Sequence, residues 1–389
     1  MKKLCLVTHK LKKGDGQGRV NYEIVRAACT KGYDVTILAT ECARDVIEDF
    51  GVHFIEIQVD PWKTNLIRNQ IFALKSYIWL KNYGSQFDIL NVNGFITWFP
   101  AQVNSVHFVH GAWMRSPYNV DRIFSGIKSA YYKIFTIINS VLEKRAFKQA
   151  NIVVAVSPLV VEELITIGVP KHKIIMIPNG VDIEEFHPGE GLRTELGFRA
   201  DTPLAIFSGD LRSRRKNLET VLAALRDCAD WHLLVLSRVE GSIYPAMAQE
   251  MGILNRVHFL GFRSDSAALM RTADVLIFPS RYDPCTLVVA EALASGVPVI
   301  TAKSVGASFQ ITQDSGWIMD DPENHRKITE ILQIILSEKM SGNNIRNDQA
   351  RFAALKYSWD ITANNYLELY QKIIKTNTDV PSTISQKIN

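Results

Sequence analysis

Short apolar runs recur along the chain, each followed by a glycine-bearing or polar loop and then by apolar positions at helical spacing. In the first half, residues 4–8, 35–39, 88–92 and 105–109 read as strands, and 20–30, 61–81 and 122–148 as helices. The second half restarts the pattern with strands over 204–208, 233–237, 257–260, 275–278 and 297–300, and helices over 218–226, 287–295 and 324–338. Strand, helix and strand in alternation predict parallel, right-handed βαβ units, and the restart predicts two separate layers of them. Asn179-Gly180 reads as a tight turn leading into a linker, so a boundary is expected near residue 180. A last helix begins near Lys356, and the polar residues 376–389 are expected to be disordered.

Composition narrows the class. At 389 residues, 47% apolar and 22% charged, the chain is long enough for two domains with separate cores. A net charge of +4 without a basic, aromatic-rich patch gives no reason to expect nucleic acid as a partner. The five cysteines (Cys5, Cys29, Cys42, Cys228 and Cys285) are widely spaced and form no C-x-x-C pair, which favours a reducing cytoplasm over a disulfide framework or a zinc site. The apolar run in MKKLCLVTHK is too short for a signal peptide, and no stretch is long enough to span a bilayer. Segments 61–81 and 122–148 combine helical apolar stripes with many basic residues. The stripes are expected to face the core; a peripheral contact with an anionic membrane is the sharper alternative.

Three loops and one histidine carry candidate chemistry. In ADVLIFPSRYDPCTLVVAEALASGVPVIT, residues 273–301, a strand feeds a loop and then a helix ending before Gly296. The backbone N–H groups of Cys285, Thr286 and Leu287 would form an anion site there, flanked by the carboxylates of Asp283 and Glu291. The loop GDLRSRRKN, residues 209–217, follows a strand and precedes a helix, which is where an α/β sheet binds phosphate; it holds Arg212, Arg214, Arg215 and Lys216. A third loop, residues 9–19, contains Gly14, Gly16 and Gly18, but Arg19 occupies the third position of a dinucleotide fingerprint. His110 follows the strand at 105–109.

These residues also resemble a known family. Asp283 and Glu291, separated by seven residues, are similar to the Glu-x(7)-Glu signature of retaining glycosyltransferases of the two-domain B type, family four, with Asp for the first acid and Cys285-Thr286 for the usual Phe-Gly. Pro178-Asn179-Gly180-Val181-Asp182 matches the family's interdomain signature, with Phe186 and Pro188 also in place, and VHFVHGAW resembles its His-Gly element. Gly16 and Gly18 fall on family glycines, and Gly261-Phe262-Arg263 on the segment where the nucleobase packs. Gly306 is retained in the loop SVGASFQI, while Gln310 replaces its acid and Asp210 stands where the family has arginine.

The expected class is α/β, two Rossmann-like domains facing each other across a cleft. They span residues 1–180, an acceptor domain completed by the C-terminal helix 361–374, and 181–360, a nucleotide-sugar domain. The resemblance implies a hexosyltransferase moving a sugar, with retention, from a UDP-sugar or GDP-sugar to a glycan or lipid-linked hydroxyl, without cofactor or metal. Lys216, with Arg212 or a neighbour, would steady the leaving diphosphate; His110 and Asp283 would orient the sugar. Glu291 would hold the ribose, and Phe262 and Arg263 the base. The alternatives are a sugar-nucleotide epimerase of similar shape, a nicotinamide oxidoreductase and an inactive nucleotide-sugar-binding protein.

Overall fold

The computed structural model describes residues 1–13, 16–59, 64–119, 127–342 and 345–378. Gly14, Asp15, residues 61–63 and 122–126 and the tail from 379 lie outside these. The first half runs β1 (Lys3–Val7), β2 (Lys10–Leu11), α1 (Gly16–Thr30), β3 (Asp34–Ala39), β4 (Glu41–Cys42), α2 (Arg44–Phe50), β5 (His53–Glu56) and α3 (Asn65–Tyr83). It continues with β6 (Ile89–Asn93), β7 (Val103–Val106), α4 (His110–Trp113), α5 (Ile127–Gln149), β8 (Ile152–Ala155), α6 (Pro158–Thr166) and β9 (Ile174–Met176). Seven of its strands form one parallel sheet in the order β5-β3-β1-β6-β7-β8-β9. The short β2 and β4 pair separately, an element the apolar pattern is too brief to show.

The second half runs β10 (Leu204–Ser208), α7 (Leu218–Arg226), β11 (His232–Leu236), α8 (Tyr244–Glu250), β12 (Val257–Gly261), α9 (Ser266–Thr272), β13 (Val275–Phe278) and α10 (Val288–Ala294). After these come β14 (Val299–Ala302), β15 (Gly316–Met319), α11 (His325–Met340), α12 (Ile345–Ala354) and α13 (Trp359–Thr378). The six strands form a parallel sheet in the order β12-β11-β10-β13-β14-β15. Both sheets wind outward in two directions from their first strand. The carboxyl ends of β1 and β6 therefore open one crevice and those of β10 and β13 another, the places where such sheets hold ligands.

α13 crosses back onto the first sheet. Its Tyr366 and Tyr370 are fully buried, the first donating to Ser105 Oγ at 3.1 Å and the second accepting from Asn91 Nδ2 at 2.8 Å. Burying each ring contributes on the order of 2 kcal/mol, and the hydrogen bonds give Ser105 and Asn91 of the sheet a partner beneath them. The loop after β13 docks on the first half. Tyr282 packs against Trp113 and Phe108 at ring distances of 4.9 and 5.8 Å, and Ser157 Oγ donates to the carbonyl of Pro284 at 2.9 Å. A Cβ on Gly306 would sit 2.1 Å from that same carbonyl oxygen and 2.6 Å from Ser157 Oγ, so the packing there leaves room only for glycine.

Three expectations change besides that of the tail, whose first residues, 376–378, close helix α13 instead of being disordered. Gly16 and Gly18 belong to the first turn of α1, not to a loop, because the helix begins at Gly16. His110 opens the short α4 instead of ending a strand. Thirdly, α5 turns polar residues inward: Thr136, Asn139 and Glu143 are buried beside the core residue Phe147, while Ile134, Ile137 and Val141 are exposed. The reason is that this helix walls a polar cavity, so its apolar stripe is left facing solvent. On α3, Phe72, Ala73 and Leu80 face the core as expected, but Ile67, Leu74 and Ile78 do not.

Candidate functional site

A cleft cavity of about 1030 Å³ lies between the halves, lined by Lys10, Lys12 and Gly16 from the first and by Ser208, Gly209, Asp210, Arg212, Arg215, Lys216, Thr286 and Val288 from the second. Cations dominate its wall, so its preferred occupant is an anion. Lys216 is aimed by its neighbour. Asn217 takes a left-handed φ of 62°, and its buried amide donates to the carbonyls of Pro279 at 3.0 Å and Pro322 at 2.8 Å. That conformation ends the loop after β10 and fixes where Lys216 points.

Lys216 Nζ is ion-paired with Asp283 Oδ2, which joins two residues the sequence placed in one site. Asp283 is 4% exposed, and its backbone is held on both sides, by Ser304 at 3.1 Å and Gly306 at 2.7 Å. The other cations separate. Arg214 lies against Glu219 at 3.4 Å. Arg212 is bidentate to Asp210 at 2.8 and 2.9 Å and largely exposed. Arg215, by contrast, has no carboxylate partner among the described residues, and its guanidinium stands 6.0 Å from the Trp113 ring across the cleft.

Thr286 reaches the cavity wall, whereas Cys285 packs on the first half's core and burial pushes its thiol up to about 12. Leu287 packs on that core too and caps α10. Glu291 lines a neighbouring cavity of about 190 Å³ with Arg19, Asp182 and Glu185. Burial, and secondarily Glu185, raise its carboxyl to about 7 against the opposing effect of Arg19. Phe262 is 77% exposed with Arg238 5.7 Å from its ring, and Arg263 is paired with Asp265 at 2.8 Å.

His110 lies at the other crevice, beyond β1 and β6, in a cavity of about 210 Å³ shared with His9, Gln17, Asn69, Asn93, His107 and Glu143 and walled by Phe95, Phe108 and Phe135. Both ring nitrogens of His107 and the Asn93 amide nitrogen are buried there without a protein partner. Polar groups left open among aromatic walls are what a hydroxyl-bearing ring requires. Glu143 was not legible in the sequence as a site residue, nor was Tyr282. The spacing of Thr136, Asn139 and Glu143 marks a polar face on α5 but not that the face is inward.

Burial lowers both His107 and His9 to about 4 from an ordinary 6.5, with Arg68 adding to the effect on His9. Below pH 6.5 the unfolded chain takes up protons that the native state refuses. Stability is therefore fully present above that pH and falls toward pH 4 by up to about 1.4 kcal/mol per pH unit for each group. Denaturant midpoints measured from pH 7 to 4 should fall accordingly, and His107→Gln should remove part of the slope.

Residues 14–185 match the glycosyltransferase family 4 domain and residues 190–353 the glycosyl transferases group 1 domain, so the chain belongs to that glycosyltransferase family. An uncharacterized glycosyltransferase of Methanocaldococcus jannaschii is 27% identical over 56% of this chain, which spans only 59% of that relative. The N,N'-diacetylbacillosaminyl-diphospho-undecaprenol alpha-1,3-N-acetylgalactosaminyltransferase of Campylobacter jejuni is 26% identical, over 78% of this chain and 84% of its own. In fold, the chain superposes on sucrose-phosphate synthase from Thermosynechococcus elongatus with a TM-score of 0.78 at 20% identity, covering 97% of this chain and all (100%) of that one. It also superposes on Anabaena HepE in complex with UDP-glucose, with a TM-score of 0.69 at 18% identity, covering 98% and 100%. These likenesses establish the glycosyltransferase B fold: two parallel α/β layers across a cleft.

Proposed function

We propose that this protein transfers a sugar from a nucleoside diphosphate donor to a hydroxyl acceptor with retention of anomeric configuration. The observation that carries the reading is the cation-lined cleft at the second switch point, where Lys216 and Asp283 meet. The diphosphate sits on Lys216 and Arg215, the latter free of carboxylates among the described residues, with the N–H groups around Thr286 behind it. Arg212, committed to Asp210, takes second place. As the sugar departs, negative charge grows on the diphosphate, and preorganised cations stabilise that state more than the ground state. Glu291 accepts the ribose hydroxyls, and Phe262 with Arg263 offers an open surface for the base. His110 and Asp283 orient the sugar, Asp283 being released from Lys216 as the phosphates arrive.

No described helix is long and apolar enough to cross a membrane. The exposed Ile134, Ile137 and Val141 lie on the same helix as Lys133, Lys144 and Lys148, and Ile67, Leu74 and Ile78 lie on α3 with Lys81. This pairing of apolar and basic residues suits the inner face of an anionic membrane, and a lipid-linked acceptor fits the diphospho-undecaprenol in the Campylobacter relative's name. Binding to anionic but not neutral vesicles, weakened by salt and lost on changing Lys81, Lys133, Lys144 and Lys148 to Glu, is the expected result. No binding at low salt would leave a soluble acceptor.

The test of the activity is incubation with UDP- and GDP-sugars and an acceptor extract, followed by NMR of the product. Retained anomeric configuration and acceptor-dependent release of nucleotide support transfer. Conversion of the donor into a different nucleotide sugar without acceptor points to an epimerase, and tight binding with no turnover to an inactive binder.

A further inference from the structure

Glu143 is 2% exposed, yet both of its oxygens are engaged at one point. Oε1 accepts from the backbone N–H of Gly111 at 2.8 Å and Oε2 lies 2.8 Å from His110 Nδ1. The two bonds tie α5 to the first turn of α4. Facing an ionised Glu143, which can only accept, Nδ1 carries a hydrogen, and in the neutral ring Nε2 is then the bare nitrogen. The ring is also fixed in orientation, edge-to-face against Phe108 at 5.0 Å and Phe135 at 5.9 Å. Its remaining freedom is therefore the tautomer, and the tautomer decides whether the nitrogen left for a ligand accepts or donates a hydrogen bond.

We propose that Glu143 is a positioning residue that holds His110 as the Nδ1–H tautomer, so that Nε2 presents a lone pair to a sugar hydroxyl. The inference about the ring stands on geometry; its effect on turnover rests on the reading of His110 as a group that touches the sugar. The acceptor nitrogen selects a hydroxyl hydrogen at that point and turns away a carbonyl or ether oxygen, which makes Glu143 indirectly a reader of the ligand. A purely structural Glu143 would need only the bond to Gly111.

Glu143→Gln separates the two roles. Its amide oxygen keeps the bond from Gly111, while its NH₂ now donates to Nδ1, and the proton moves to Nε2. In ¹⁵N-histidine spectra of the full chain, wild-type His110 is expected to show a protonated Nδ1 and a bare Nε2, assigned by the loss of its signals in His110→Ala. Glu143→Gln is expected to exchange the two. Release of nucleoside diphosphate from a panel of UDP- and GDP-sugars should fall about 10- to 100-fold in kcat, with KM for the donor moving far less. Glu143→Asp, which keeps the charge, should recover part of the rate. A wild-type ring already protonated at Nε2, or an exchanged tautomer with unchanged kcat, overturns the proposal. His110→Ala with full activity would sink the role of His110 itself, a separate failure. If the glutamine variant does not fold, the wild-type spectrum alone still decides the tautomer.

Discussion

Lys216→Ala lowers turnover by roughly 10²- to 10³-fold while weakening donor binding much less, because the ammonium acts mainly on charge that develops as the sugar leaves. The ion pair adds a second effect. Asp283 is nearly buried, and removing its cation leaves an uncompensated carboxylate, which costs about 3–5 kcal/mol of stability. The two losses are separable. The double change of Lys216→Ala with Asp283→Asn removes both charges, so most of the stability should return while turnover stays low. Urea unfolding of the single and double variants, beside the initial rate of nucleotide release, reads both. A double variant that regains turnover along with stability would mean that Lys216 matters only as the partner of Asp283.

Glu291→Ala weakens donor binding by about 2–4 kcal/mol, roughly 30- to 1000-fold, since a carboxylate accepting two ribose hydroxyls in a closed site is not replaced by water. The raised carboxyl, near 7, supplies an independent signature. The charged form accepts hydroxyl hydrogens and the protonated form accepts them poorly. Donor affinity should therefore rise as pH increases from 6 to 8 in the native protein and be flat over that range in Glu291→Ala. Calorimetric titration at several pH values measures both, and donor affinity within about twofold of native would remove Glu291 from the site.

Much of the fold was legible because its signals are local. Apolar runs such as 275–278, with Gly296 at φ 73° ending the following helix, need no knowledge of the partner strands. The site was legible in part, where a motif fixes the chemistry. Asp283 and Lys216 were each nominated from their loops, but their pairing depends on β10 and β13 being neighbours, which strand order alone decides. GDLRSRRKN was read with Arg212, or a neighbour, beside Lys216; the pairing of Arg212 with Asp210, and the lack of a carboxylate partner for Arg215 among the described residues, set the two apart. Helix α5 was read with its apolar stripe inward, since periodicity finds two faces but not which one meets the core. When a helix walls a polar cavity the usual assignment inverts, and the residue that mattered most on it, Glu143, went unread for that reason. Gly16 and Gly18 show the opposite limit: they were read as part of a glycine-rich loop after the first strand, but helix α1 already begins at Gly16.

The central claim is that a nucleoside diphosphate sugar binds between the two halves, its phosphates on the Lys216 loop. Calorimetric titration of the full chain with UDP, GDP and their sugars tests it most directly. The account predicts that one nucleotide series binds with one molecule per chain, that the matching sugar binds more tightly than the bare nucleotide, and that Arg215→Ala and Glu291→Ala each weaken it. Binding of neither series, or binding left intact by both changes, would contradict it.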